Sequence, residues 1–158
     1  MVRNKAEHVV HKHCARRGMQ PEWTPRKIDT IAHVDLIVTL HGKRVGIDVK
    51  GVGRKNRHDA EFDKVGRWME LRNVRGMRGS LFGQAKYMVV ASPHGWLWVD
   101  RAEMMVETVL RYVENTWEHR QRGESVIVHV PFEYMLRHAV MIMPCQFVLS
   151  HYAKPSKA

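Results

Sequence analysis

Cysteine is scarce: Cys14 and Cys145 are the two in 158 residues. That is too few for a disulfide framework, so a reducing compartment, the cytoplasm, is the expected setting. Long apolar runs are missing too. No stretch reaches the roughly 18 apolar residues of a membrane span, and the opening MVRNKAEHVVHKH holds no apolar run of signal-peptide type. Secretion and membrane insertion are therefore not expected. Internal repeats, low-complexity tracts and internal linkers are lacking as well. One domain over 1–153 with a short tail over 154–158 is the expected organisation.

Acidic residues are also in short supply. The chain has 26 Lys+Arg against 16 Asp+Glu, a formal net charge of +10. The excess is uneven: residues 1–79 carry 18 basic and 9 acidic side chains, whereas residues 80–158 carry 8 and 7. The basic residues cluster as Arg16-Arg17, Arg26-Lys27, Lys43-Arg44, Arg54-Lys55 with Arg57, and Arg72, Arg75, Arg78. A basic half joined to a neutral half points to one face that binds a polyanion.

Periodicity gives an α/β order. Residues 3–17 read as a helix with Ala6, Val9, Val10, His13 and Cys14 on one stripe, ended by Gly18. Two strands follow over 33–40 and 43–51, joined by His41-Gly42, and then a basic loop over 51–59. Residues 59–73 read as a helix on Phe62, Val65 and Met69, and the glycine-rich 75–83 as a mobile segment. Strands are predicted at 86–91 and 96–99, a helix at 101–117 on Met105, Val109 and Val113, and a strand at 125–130. The result is a mixed sheet flanked by helices.

The hairpin is the informative element. With a two-residue turn, Leu40 pairs with Lys43, which puts Val34, Leu36, Val38, Val45, Ile47 and Val49 on one aliphatic face. The other face sets Asp35 opposite Asp48, about 4.5–5.5 Å apart at Cβ. Like charges opposite each other destabilise a ladder, and a divalent cation between them is the economical remedy. Lys50 shares the face of Asp48, and Gly46 leaves that face open to something bulky. The alternative is a hairpin whose outer face is simply solvated.

Asp35 on one strand and Asp48-Val49-Lys50 on the next resemble the signature of the PD-(D/E)XK nuclease superfamily. Glu7, on the first helix, matches the helical acid of that family. The order over about 5–52 is most similar to the archaeal-type Holliday-junction resolvases. Val34 stands at the position of the proline, and the triplet opens with Asp rather than Glu. The resemblance implies a restriction-endonuclease-like fold, a mixed central β-sheet flanked by α-helices. It implies Mg²⁺, with Mn²⁺ as substitute, held by Glu7, Asp35, Asp48 and the Val49 carbonyl, with Lys50 acting on the water or on transition-state charge. It further implies a homodimer nicking four-way junctions or other branched DNA, in a prokaryotic or phage-infected cell. Arg54, Lys55 and Arg57, directly after the active-site strand, are the expected phosphate contacts.

Other patterns carry less. His8, His11, His13 and Cys14 have helical spacing for zinc but no second half of a site. Gln84-x-x-Tyr87 resembles a motif of exonuclease branches of the same superfamily. Trp96 and Trp98 share a strand face and suit core packing, a dimer contact or base stacking. No helix-turn-helix or zinc finger is evident, which favours recognition of DNA shape. The rival readings are another nuclease of the superfamily, cutting from ends or at a sequence, and a basic binding module without catalysis.

Overall fold

A computed structural model describes residues 3–52, 60–73 and 75–153. Helix α1 (Lys5–Arg16) is capped by Asn4, whose side chain accepts the Glu7 N–H, and buries Val10 and Cys14. After β1 (Glu22–Trp23) and α2 (Arg26–Ala32) come β2 (Leu36–Leu40) and β3 (Lys43–Lys50). The remaining elements are α3 (Ala60–Val65), β4 (Gly66–Arg72), β5 (Tyr87–Ser92), β6 (Gly95–Asp100) and α4 (Arg101–Val113). They continue with β7 (His119–Arg122), β8 (Ser125–Pro131), α5 (Phe132–His138), β9 (Ala139–Met143) and α6 (Gln146–Ala153).

Strands β1-β2-β3-β5-β6-β9 form a mixed sheet in that order, with β3 and β5 parallel and the other neighbours antiparallel. A separate three-stranded antiparallel sheet runs β4-β8-β7. The large sheet is covered on both faces. Val10 and Cys14 of α1 and Val148 of α6 pack with Leu36, Ile47, Val89 and Trp98 on one side. Met69, Met104, Val130 and Met135 pack with Met88 and Leu97 on the other. Double coverage explains why β5 and β6 read as continuous apolar runs, YMVVA and WLWV, rather than as alternating strands.

The predicted hairpin register holds. Leu40 pairs with Lys43, Val38 with Val45 and Leu36 with Ile47. His41 and Gly42 both have positive φ, 48° and 75°, the backbone that a two-residue turn requires. Beyond Leu36 the strand leaves that register. The Asp35 N–H bonds the Ile47 carbonyl at 2.9 Å, one residue out of step, and Val34 packs with Ala32 and Ala85 instead of joining the aliphatic face. A Cβ on Gly46 would meet Val34 Cγ1 at 2.9 Å. Gly46 thus makes room for Val34 and does not open the face to a ligand, contrary to the expectation.

Other expectations are corrected too. The helix predicted over 59–73 is α3 followed by β4; Phe62, Val65 and Met69 have helical spacing, but Gly66 ends the helix by lying against β8, where a Cβ would stand 2.4 Å from the Val130 carbonyl oxygen. Residues 80–82 form a 3-10 turn with Ser80 and Leu81 buried, so this part of the glycine-rich segment is built into the core. Helix α4 ends at Val113, and its buried residues are Met104 and Thr108, while Val113 is exposed. Trp96 and Trp98 have no exposed surface, so neither reaches a dimer contact or a base. His8 and His11 pack against Trp23, and burial pushes the Cys14 thiol up to about 12. The tail over 154–158 lies outside the described residues.

One close approach joins the helix to the hairpin. A Cβ on Gly51 would lie 2.7 Å from Ala6 Cβ, so α1 crosses the end of β3 at the only residue type that leaves room for it. Gly51→Ala is expected to lower unfolding free energy by about 1–3 kcal/mol, measured by urea denaturation. An unchanged midpoint would show that α1 is not held at this point.

Candidate active site

The end of β3 gathers the groups singled out in the sequence. Asp48 is buried; Lys50, two residues on and half-buried, places its Nζ 3.0 Å from Asp48 Oδ1. The other oxygen, Asp48 Oδ2, is enclosed and has no hydrogen-bond partner among the described residues. Buried acceptors are nearly always satisfied, and a carboxylate oxygen left without a donor is a costly exception that calls for a cation or water.

Asp35 lies beside it in an unusual setting. Its Oδ2 accepts the Val49 N–H at 2.7 Å, so a side chain takes a backbone donor next to the end of the β2–β3 ladder. Its carbonyl accepts from the Thr24 N–H at 3.3 Å and faces the Thr24 hydroxyl at 3.0 Å; that hydroxyl also donates to the Val34 carbonyl. These bonds break the register at Asp35. The expected ladder pair Asp35–Asp48 is therefore replaced by two neighbouring acids, not regularly paired. Burial, and then the Asp48 charge, push the Asp35 carboxyl up to about 8, against the opposing effect of the Val49 N–H.

Glu7 reaches the same region from the first turn of α1. It is 8% exposed, its N–H donates to Asn4 Oδ1 at 2.9 Å, and the Asn4 amide donates back to Glu7 Oε1. Burial raises its pKa, opposed by the nearby Arg3, and its charge contributes to raising that of Asp35. Lys50 is opposed by burial, yet its pKa is raised, chiefly by Asp48 and further by Asp35 and Glu70. Among the described residues no three His, Cys, Asp or Glu side chains stand where together they would hold a metal ion. The set Glu7, Asp35 and Asp48 is thus assembled in one neighbourhood but not drawn into a three-ligand cage. The fit to a hard divalent cation rests on the donor set: two buried carboxylates, one with an oxygen that has no partner among the described residues.

Several participants were not legible in sequence. Asp29 of α2 raises the pKa of both Glu7 and Asp35, and is itself bound by Arg3 at 3.1 Å. Arg3 also donates to the Thr24 carbonyl and lies over Trp23, 4.9 Å from the ring centre. Arg3 is thus the cation that ties α1 and α2 around the acids. The expected phosphate contacts Arg54, Lys55 and Arg57 fall outside the described residues. A cavity of about 870 Å³ lies elsewhere, lined by residues of α4 and α5, and holds none of these residues. No helix among the described residues is long and apolar enough to cross a membrane.

Comparison with protein-family models, with curated proteins and with solved structures gives no match.

The Asp35 carboxyl sets a pH dependence. Its folded pKa of about 8 exceeds the unfolded value of about 3.9, so the folded chain holds the extra proton between them. Stability is then greatest below about pH 4 with respect to this group and falls as pH rises toward 8. Thermal unfolding in EDTA is expected to show that fall, and Asp35→Asn to flatten it. A flat profile in the unmodified chain would contradict the buried acid pair.

Proposed function

We propose that the chain is a Mg²⁺-dependent endodeoxyribonuclease of restriction-endonuclease-like fold, cutting branched DNA as a Holliday-junction resolvase. The observation that carries this reading is the orphaned Asp48 Oδ2, buried beside Asp35 and next to a lysine that occupies only the other Asp48 oxygen. An acid pair so placed is costly without a cation, and a cation held there could polarise a phosphate and acidify a water, as phosphodiester hydrolysis requires. The basic N-terminal half supplies the attraction for DNA.

The chain's residues divide the work. Asp48 and Asp35 would hold Mg²⁺ or Mn²⁺, with the Val49 carbonyl as a third oxygen and Glu7 acting through water from α1. Bound there, the ion supplies Lewis-acid chemistry, a more acidic water and a polarised phosphate. Lys50, anchored on Asp48, orients that water or meets the negative charge that grows on the phosphate in the transition state. The Asp35 carboxyl, held neutral by burial, would hold a cation only in its ionised form, so activity should need neutral to alkaline pH. Arg54, Lys55 and Arg57 follow β3 in sequence and supply phosphate contacts.

Paired nicks across a junction need two copies. Edge strand β9 (Ala139–Met143) carries no charge and no proline, and exposes Val140 and Ile142. Antiparallel pairing of β9 with its counterpart in a second copy would cover this edge, using the half of the chain that is nearly neutral. One observation favours a second reading, a basic DNA-binding module without catalysis: the described acids do not form a three-ligand cage.

Incubation with a four-way junction, a linear duplex and a single strand in Mg²⁺ separates the readings. Symmetric nicks near the crossover are expected on the junction, and degradation from ends would contradict the resolvase assignment. Asp48→Asn is expected to abolish cleavage while leaving junction affinity within a few-fold, and Lys50→Ala to slow cleavage roughly 10²–10³-fold. Metal-dependent cleavage unchanged in Asp48→Asn would remove the site.

A further inference from the structure

A second basic element follows strand β4 and is built differently from the charged clusters on the helices. Strand β4 carries Glu70, whose charge reaches Lys50, and the chain leaves this strand at Arg72. It comes straight back: Arg72 and Arg78 form an antiparallel bridge, and the Gly79 N–H bonds the Leu71 carbonyl at 3.0 Å. Gly79 lies so close to Glu70 that a Cβ there would stand 2.2 Å from the Glu70 carbonyl oxygen.

Between these ends the loop is tied by its own bonds. Asn73 Oδ1 accepts the Arg75 N–H at 2.9 Å and the Met77 N–H at 3.1 Å. The Asn73 N–H bonds the Met77 carbonyl at 2.9 Å, and the Gly76 N–H bonds the Asn73 carbonyl at 3.0 Å. Gly76 has φ of 73°, a left-handed turn that glycine adopts without strain. This framework presents Arg75, Met77 and Arg78 to solvent, with Met77 58% exposed. Arg72 is engaged by Glu124 at 3.9 Å, and Gly76 lies near the same carboxylate. A large apolar side chain between two exposed guanidinium groups is a poor solubilising surface. It suits a polyanion that also offers stacked apolar rings.

We propose that this loop is a DNA contact: Arg75 and Arg78 hold backbone phosphates, and Met77 lies against bases that are unstacked at the branch point. The proposal rests on the nuclease reading for its partner, DNA, but needs none of the metal site. A backbone tied by the Asn73 hydrogen bonds limits the ordering cost of the loop, and the polarisable Met77 thioether can adapt to an opened base step. A duplex offers the phosphates but not the opened step, so the loop contributes affinity to any DNA and discrimination in favour of a junction.

The test uses the full chain in EDTA, which prevents cleavage, with a synthetic four-way junction and a matched duplex, both carrying 2-aminopurine at the central step. Anisotropy titrations over a salt series give affinity and salt slope. Arg75→Ala with Arg78→Ala is expected to weaken junction binding about 10–100-fold at 0.1 M salt and to reduce the log–log salt slope by about 2. The Arg75→Lys, Arg78→Lys pair should keep the slope, showing that charge and not misfolding is responsible. Met77→Ala should leave the slope unchanged but lose several-fold preference for the junction, along with the rise in 2-aminopurine fluorescence. Unchanged slope and preference in all of these variants, in a chain that does bind DNA, would overturn the proposal and assign the loop to another partner. No DNA binding by the unmodified chain would end the nuclease reading as well.

Discussion

Asp35 and Asp48 are buried within electrostatic reach of each other where the β2–β3 ladder gives out, and the surrounding architecture is organised by that fact. A carboxylate taken out of water must be neutralised, paired or bound to a cation. The chain answers differently for each oxygen. Val49 N–H takes one oxygen of Asp35, Lys50 takes one of Asp48, and the second oxygen of Asp48 receives no donor from the described residues. Glu7 and Asp29 add negative charge from two helices, against Arg3, which binds Asp29. Folding brings these acids together despite mutual repulsion, the kind of local conflict that marks functional sites in otherwise consistent sequences.

The scaffold makes that concentration affordable. The large sheet is buried on both faces, with α1 and α6 on one side and the second sheet with α4 and α5 on the other. The buried apolar side chains of β5 and β6, Trp96 and Trp98 among them, are part of that core. Helix α1 is fixed against β3 by the Ala6–Gly51 approach, one residue from Glu7, so the helical acid is delivered by packing and not by an attraction to its neighbours. The thinly acidic composition of residues 1–79 also acquires meaning: five of the nine acids there, Glu7, Asp29, Asp35, Asp48 and Glu70, act on the groups at the end of β3.

How much of this was readable in the chain depends on the range of the physics involved. The two-residue turn and the alternation of Val and Ile fixed the hairpin register, because both are local. The neighbourhood of Asp35, Asp48 and Lys50 followed from that register. Its detail did not: Thr24, eleven residues before Asp35, pulls the strand out of step and turns Val34 over Gly46, and a sequence pattern carries no trace of that. Strand β4 was hidden because Phe62, Val65 and Met69 satisfy a helical period, while the deciding contact is the approach of Gly66 to Val130 from a distant strand. The α5, β9 and α6 segments, with mixed apolar spacing, gave no single period to follow. Arg3 and Asp29 are ordinary surface residue types until the fold closes α1 over α2.

Uptake of a divalent cation by the acid pair is the deciding property. Calorimetric titration of Mn²⁺ into the chain at pH 7, repeated in two buffers of different ionisation enthalpy, measures both binding and protons released. Binding with release of roughly one proton, from the Asp35 carboxyl, and loss of binding in Asp48→Asn are the predicted results. No heat of binding, or equal binding by Asp48→Asn, would contradict it.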